Sequence, residues 1–409
     1  MVSALDKVDL PKCPSATAKV LAFTAETRRF GASMRAMFSR RTAIQGSLLL
    51  PAAHALAAEA PQDAPKQPAG KPRLPDTVKS FAAPYPTIGS IERLDPALDA
   101  YLPKDAKIEK LAEGFDWIEG PLWIKKGGYL LFSEIPLNSV YKWQDKKGVS
   151  LFLSPSGYYG ARTDLKEPGS NALGISKKGD LLLCQHGERR IARVSLANPS
   201  AKPSVVADKF DGKRFNSPND LVVHPSGDIF FTDPPYGLQK TGGAPGAEAD
   251  DPGRELKLQG VYRVDAAGKV TLVYGDLERP NGIGLSPDGK TLYVANSHRP
   301  RPIIMAFDVA ADRSVANPRI FFSGIAMLEK KPDLKGAFDG LTVSADGTLF
   351  ASGPGGILII TAQGKHLGTI STGEAMSNCD LGGPKGTTLF ATSDMYLVKV
   401  ETSAKAIVS

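Results

Sequence analysis

The apolar residues of this chain recur as short strand-like runs and do not form long helical faces. In each unit a polar residue opens a short apolar run, a turn containing Gly follows, and a second apolar run comes after the turn. The unit is clear in Asn219–Val223, which is followed by Pro225–Gly227 and Ile229–Phe231. Such runs predict antiparallel hairpins, because Gly readily adopts the positive φ angles that tight turns need.

This unit occurs six times along the chain. Its opening residues are Glu119, Asn171, Asn219, Asn281, Asp339 and Asn378. The spacings between them are 52, 48, 62, 58 and 39 residues, and each spacing holds about four strands. The repeat predicts an all-β fold, a six-bladed β-propeller of four-stranded antiparallel blades with a site at the central channel. The alternatives are a β-sandwich and a two-domain β protein, neither of which is expected to carry six units in phase.

The opening residue of every unit carries an amide or carboxylate oxygen. An Asn or Asp before Gly is ordinary turn chemistry when it occurs alone, but here all six positions share the property. Equivalent positions of the blades converge on the axis of a propeller, so we expect these oxygens to lie together. Two carboxylates and four amides suit one hard divalent cation. Ca²⁺ fits best, since it accepts about six to eight oxygen ligands in flexible geometry, and Zn²⁺, Mn²⁺, Mg²⁺ and Fe²⁺ are alternatives.

Several motifs resemble the gluconolactonase, regucalcin and luciferin-regenerating-enzyme superfamily over about residues 108–400. They are Glu119-Gly120-Pro121, Asn216-Ser217-Pro218-Asn219-Asp220, Pro280-Asn281-Gly282, Phe338-Asp339-Gly340 and Asn378-Cys379. Two further motifs, Gln185–Arg190 and Thr232–Gly237, resemble the bacterial gluconolactonase branch. The resemblance implies a propeller that holds one metal ion and hydrolyses a sugar lactone.

The resemblance also implies roles for individual residues. The metal ligands would be Glu119, Asn219, Asn281 and Asp339, and the substrate residues would include Arg214 and Asn216. The spacing departs from the regucalcin branch, because Ser217-Pro218 separates the Arg214 stretch from Asn219-Asp220. Asn171 and Asn378 complete the ring, and we expect them to support the axis through hydrogen bonds.

The expected reaction is hydrolysis of D-glucono-1,5-lactone to gluconate by a metal-activated water. Asp339 is the candidate general base, and His186, Tyr236 and His298 are candidate substrate-binding residues near predicted strand ends. One alternative is a related hydrolase acting on another aldonolactone, such as xylonolactone, or on another ester or phosphoester. Another is a non-catalytic calcium-binding propeller. A serine-hydrolase mechanism is disfavoured, since the chain lacks a G-x-S-x-G motif.

The N-terminal residues predict export. Arg40-Arg41 precedes an apolar stretch from Ile44 to Ala58, the order found in twin-arginine signals. This stretch is too short and too interrupted to span a bilayer. We therefore expect residues 1–58 to be a leader, residues 59–90 a Pro/Ala-rich linker and residues 91–409 the propeller of a periplasmic protein.

The net charge of +7 does not indicate a nucleic-acid partner. Residues 1–58 contain eight Lys/Arg and three Asp/Glu, so that segment carries +5 and the rest of the chain only +2. A nearly neutral body lacks the basic surface that binds phosphate backbones. The partner that the family resemblance implies is instead a small sugar lactone.

Overall fold

The computed structural model describes residues 74–407, and the predicted leader of residues 1–58 lies outside this range. Within it, antiparallel sheets form the six blades of a β-propeller, which confirms the predicted fold. The first strands of neighbouring blades contact one another all the way round and enclose a central channel. We number the blades I to VI in chain order of their first strands.

In blades I to IV, four consecutive strands run from the channel to the periphery. The strands of blades I and II are Ile118–Ile124, Tyr129–Glu134, Ser139–Gln144 and Gly148–Leu153, then Ser170–Ile175, Leu181–Gln185, Arg190–Val194 and Ser204–Ala207. Those of blades III and IV are Leu221–Val223, Ile229–Asp233, Gly260–Val264 and Val270–Tyr274, then Pro280–Leu285, Thr291–Asn296, Ile303–Val309 and Val315–Ser323.

Blades V and VI include strands from the beginning of the described chain. Blade V contains Leu341–Val343, Leu349–Gly353, Gly356–Ile360 and His366–Ser371, with Ser90–Arg93 as a fifth strand. Blade VI contains Asn378–Gly382, Thr388–Ser393 and Tyr396–Glu401, and Ile108–Glu113 supplies its fourth strand. The two ends of the domain thus share one sheet, which closes the ring.

The folded domain starts earlier than the sequence suggested. Lys79–Ser80 and Thr87–Ile88, inside the predicted linker of residues 59–90, pair with the closing strand Ile108–Glu113. Their side chains are largely exposed, so the pairing rests on backbone hydrogen bonds. Strands without an apolar face leave no hydrophobic pattern in the sequence, which explains why the composition indicated a linker.

Few other elements occur in residues 74–407. A small hairpin pairs Lys209–Phe210 with Lys213–Arg214, and one short α-helix spans Ile325–Lys330. Three 3₁₀ helices span Pro96–Ala100, Tyr236–Leu238 and Ala247–Asp250. None of the helices in this range is long and apolar enough to cross a membrane.

The hydrophobic core is divided among the blade interfaces. Each of its six clusters lies between two neighbouring blades. Leu182 and Phe231, for example, pack between blades II and III, and Leu397 packs between blades VI and I. Because every interface buries apolar side chains, the blades hold one another in place and fix what lies at the channel.

Candidate active site

The six predicted ring residues all lie at the same end of the channel. Glu119, Asn171, Asn281 and Asn378 lie at the start of the first strands of their blades, and Asn219 and Asp339 precede theirs by two residues. The Glu119 side chain and the four Asn side chains are buried, whereas Asp339 is half-buried. The structure therefore brings together the residues that the repeat placed in phase.

Hydrogen bonds between neighbouring blades run round the channel at this level. Three join backbone groups: Ala172 N to Asn219 O at 3.0 Å, Gly282 N to Asp339 O at 3.1 Å and Gly340 N to Ser377 O at 2.7 Å. Three are donated by hydroxyls: Ser133 Oγ to Asn171 O at 2.7 Å, Thr232 Oγ1 to Asn281 O at 2.8 Å and Ser377 Oγ to Ile118 O at 2.8 Å. Every junction between neighbouring blades carries one of these bonds, so the backbone of the ring is held rigidly.

The glycines after the ring residues allow the first strands to approach closely. A Cβ atom on Gly282 would lie 2.0 Å from the Asp339 carbonyl oxygen, and one on Gly340 would lie 1.9 Å from Asn378 Cγ. Gly120 has a φ of +53°, and a Cβ atom there would lie 2.7 Å from the backbone of blade II. The small residue in each of these motifs is therefore a packing requirement of the ring.

We expect Gly340→Ala to lower the free energy of unfolding by about 1–3 kcal/mol, because its methyl group would overlap the Asn378 side chain. Chemical denaturation monitored by tryptophan fluorescence measures this change. Gly275→Ala is a matched control, since the nearest atom to its new Cβ lies 3.8 Å away. Equal stability of the two variants would contradict the steric argument.

Three acidic side chains, Glu119, Asp220 and Asp339, face one another at the axis. Burial raises the pKa of Glu119 well above its usual range, and the charges of Asp339 and Asp220 raise it further. Burial and the Asp220 charge likewise raise the pKa of Asp339, and burial raises the pKa of Asp220 to about 7. Ionised together, these groups repel one another unless a cation neutralises them. Sequence reasoning quoted Asp220 in a motif but did not assign it to the site.

Amide side chains link the acids into one network. Asn378 hydrogen-bonds to the carboxylates of Glu119 and Asp220, and its Oδ1 accepts the Cys379 N–H at 2.8 Å. Asn281 hydrogen-bonds to Asp339, and its Nδ2 donates to Ser297 Oγ at 2.9 Å. The Asn281 Oδ1 atom is then the part of this side chain that a cation can bind.

The donor set fits a hard divalent cation. Buried carboxylates whose ionisation is costly, together with amide oxygens, are the ligands that Ca²⁺ and similar ions prefer. Among residues 74–407, no three His, Cys, Asp or Glu side chains by themselves form a metal-binding group. Any cation held here therefore needs the amide oxygens of the ring, of which Asn219 and Asn281 are the predicted ligands.

Tyr236 lies on the rim of the ring, where Arg279 joins it. The Tyr236 hydroxyl hydrogen-bonds to Ser297 and to Arg279, and burial, followed by the Asp339 charge, raises its pKa to about 12. The Arg279 guanidinium lies over the Tyr236 ring at 5.2 Å and pairs with the buried Glu248 at 2.7 Å. Sequence reasoning missed Arg279, although it stands only two positions before Asn281.

His186 and Glu167 form a second polar group at the mouth. The His186 side chain is fully buried, and its Nδ1 lies 3.5 Å from Glu167 Oε2. Neither ring nitrogen of His186 has a hydrogen-bond partner in the described protein. The Glu167 charge contributes to the raised pKa of Asp339, so this carboxylate lies near the ring. Glu167 was not among the predicted residues.

Asn216 is fully buried, and its role in substrate binding stays a prediction. Its Nδ2 donates to the carbonyl oxygens of Asp233 at 3.0 Å and Leu258 at 2.9 Å, and its Oδ1 accepts from Arg254 at 3.0 Å. The Ser217-Pro218 step carries the chain from this buried position to the ring at Asn219, and the hydrogen bonds of Asn216 brace the loop.

The other two candidates lie at the periphery of the site. Arg214 sits on the small hairpin, and its guanidinium donates to the Glu188 carbonyl oxygen at 3.1 Å. His298 is half-buried in the turn that follows Ser297. No hydrogen bond joins either side chain to the ring in residues 74–407. Their roles in substrate binding stay predictions.

Comparisons with known proteins agree with this architecture. Residues 117–395 match the SMP-30/Gluconolactonase/LRE-like region. A gluconolactonase of Zymomonas mobilis is 40% identical over 320 residues, which span 77% of this chain and 87% of that protein.

Solved structures give the same match in three dimensions. A gluconolactonase of Xanthomonas campestris superimposes with a TM-score of 0.66 at 29% identity, covering 81% of this chain and 99% of that one. A calcium-binding regucalcin of Agrobacterium tumefaciens has a TM-score of 0.54 at 19% identity, covering 71% of this chain and 92% of that one. At this lower identity, the likeness to regucalcin concerns the fold alone.

Proposed function

The chain belongs to the SMP-30/gluconolactonase/LRE-like family and is a lactone hydrolase, and we propose that it hydrolyses D-glucono-1,5-lactone with the help of one divalent cation. The observation that carries this proposal is the cluster of Glu119, Asp220 and Asp339 among amide side chains at the channel. Three clustered acids in mutual repulsion, two of them buried, are costly for a structural scaffold to retain, so a functional cation explains them.

We assign the cation to Glu119, Asn219, Asn281 and Asp339, with Asn378 of the neighbouring blade VI hydrogen-bonded to Glu119 and Asp220 of blade III as a further acid beside them. When bound there, a divalent cation polarises the lactone carbonyl and lowers the pKa of a coordinated water. Ca²⁺ is the first candidate because the donors are all oxygens. The hydrogen bonds between neighbouring blades hold the ring backbone, so little reorganisation of the ring is needed when the cation binds.

We propose Asp339 as the general base. Its carboxylate belongs to the ring that would hold the cation, and a carboxylate can accept a proton from an attacking water. The hydrogen bond from Asn281 orients it toward the channel. Tyr236 and Arg279 then offer hydrogen-bond donors at the rim, which suit the hydroxyl groups and carbonyl oxygen of an aldonolactone.

A substrate panel tests the proposal. Initial rates are measured with D-glucono-1,5-lactone, D-xylonolactone and a phosphotriester, with spontaneous hydrolysis subtracted. We expect kcat/KM to be highest for the gluconolactone. A higher value for xylonolactone or for the phosphotriester would move the substrate to that class, and bound metal without turnover of any substrate would favour a binding role.

The proposed location is the periplasm. It rests on the twin-arginine pattern within residues 1–58, which precede the described range. Fractionation of cells that express the full chain, compared with Arg40→Lys/Arg41→Lys, tests it: the variant should stay in the cytoplasm.

A further inference from the structure

The side chain of His186 is fully buried, and neither of its ring nitrogens has a hydrogen-bond partner among residues 74–407. A buried polar group without a partner costs about 1–3 kcal/mol. Native proteins rarely accept this cost without a functional reason. The carboxylate of Glu167 lies beside the imidazole, with its Oε2 atom 3.5 Å from Nδ1. The pair therefore needs an explanation beyond packing.

The propeller repeat indicates where His186 points. It follows Gln185, which pairs with Ser170 beside the ring residue Asn171. In blade IV, Ser297 occupies the equivalent place, because it follows Asn296, which pairs with Pro280 beside Asn281. The Ser297 hydroxyl contacts the Asn281 amide at 2.9 Å. By the same geometry, the His186 side chain stands over the ring at blade II.

A second contact supports this position. Gly237 packs directly on His186, since a Cβ atom at Gly237 would lie 2.7 Å from His186 Cβ. The preceding residue, Tyr236, hydrogen-bonds to Ser297, and the Asp339 charge contributes to its raised pKa. His186 is thus held against the segment that forms the rim of the site.

Asp339 and His186 belong to blades that face each other. In a closed ring of six, blade II lies opposite blade V, which carries Asp339. A lactone bound between Asp339 and His186 can present one face of its carbonyl carbon to Asp339. Its ring oxygen can then point toward His186. Hydrolysis needs a proton at that ring oxygen, since an alkoxide is a poor leaving group.

We propose that His186, positioned by Glu167, is the general acid that protonates the departing ring oxygen. This inference rests on the proposed lactonase function. Asp339 takes a proton from water as the water oxygen bonds to the carbonyl carbon. The bond from this carbon to the ring oxygen then breaks, and the ring oxygen keeps the electron pair and receives the proton from His186 Nε2.

The proton balance closes after product leaves. His186 regains a proton from solvent, and Asp339 releases to solvent the one that it took. The new carboxyl group ionises, so the net reaction consumes one lactone and one water and yields one hydroxy-acid anion and one proton.

His186→Gln tests the assignment through the leaving group. The variant is assayed with glucono-1,5-lactone and with its analogue that carries sulfur at the ring position. A thiolate, with a conjugate acid of pKa about 8.5, departs without a proton donor. We expect a roughly hundred- to ten-thousand-fold loss of kcat on the oxygen lactone and near wild-type kcat on the sulfur analogue. Glu167→Gln should show a smaller loss with the same selectivity.

His224→Gln is the matched control, because His224 lies in the turn at the other end of blade III and bonds to Ser226; it should behave as wild type. Three results would overturn the role of His186. The variant could lose the same factor in kcat on both substrates, or it could keep the wild-type rate on the oxygen lactone. The third result is a wild-type protein that hydrolyses the oxygen lactone but not the sulfur analogue. A wild type that hydrolyses neither compound would instead refute the proposed gluconolactonase function. Thermal melting of His186→Gln checks that the variant is folded.

Discussion

Asp339→Asn should fold normally and lose roughly a hundred- to ten-thousand-fold in kcat for lactone hydrolysis, because the amide cannot accept a proton from water. Asn keeps the shape of the side chain and removes a charge that Glu119 and Asp220 repel. The melting temperature of the metal-free variant should therefore be no lower than that of metal-free wild type. Proton release followed with a pH indicator measures the rates, and calorimetry measures the stability.

Asp380→Asn controls for the loss of an acid on a first strand. Asp380 lies in the first strand of blade VI, where its Oδ2 accepts the Trp123 N–H at 3.0 Å. An Asn oxygen can accept the same bond, so turnover should stay near the wild-type value. If Asp339→Asn were as active as this control, Asp339 would have no place in the mechanism.

Removal of divalent cations should abolish turnover, and added Ca²⁺ should restore it. The cation would also stabilise the fold, because it relieves the repulsion among the three clustered acids. At a Ca²⁺ concentration about a hundred times its Kd, linkage predicts about 2.7 kcal/mol of added stability. Dialysis against a chelator, elemental analysis, activity assays and thermal melting together measure these effects.

Glu119→Gln separates binding at the ring from binding elsewhere. This variant should lose most of the Ca²⁺-dependent rise in melting temperature, whereas Asp380→Asn should keep it. Replacing Ca²⁺ in turn with Zn²⁺, Mn²⁺, Mg²⁺ and Fe²⁺ ranks the alternatives. Full activity in protein shown by elemental analysis to be free of metal would contradict a metal-dependent mechanism.

The sequence was sufficient to predict the six blades and the ring, because both follow from a local pattern that repeats in phase. Each unit carries its own hairpin turns and its own opening oxygen, so no long-range information was needed. The closing strand Ile108–Glu113 was not predicted. It pairs with Tyr396–Glu401 from the opposite end of the domain, and a single strand without its hairpin partner leaves no repeat to recognise.

The residues that sequence reasoning missed lie where the repeat ends. Glu167 belongs to the connection between blades I and II, and Arg279 precedes the first strand of blade IV. The path of a connection depends on tertiary contacts, such as the Arg279–Glu248 ion pair, which no short motif encodes. The hydrogen bonds of Asn216 to Arg254 and to two carbonyl oxygens are likewise visible only in the fold, because they join segments far apart in the sequence.

The shared sheet of blade VI has a consequence for synthesis. While the ribosome is still making the last blade, the edge of Ile108–Glu113 that pairs with Tyr396–Glu401 is open, and the side of blade I that will contact blade VI is uncovered. The final three strands must leave the ribosome before the propeller ring can close. Nascent chains therefore need protection from aggregation until translation ends. Shortening the gene from its 3′ end by even one strand should therefore yield aggregates in place of a smaller enzyme.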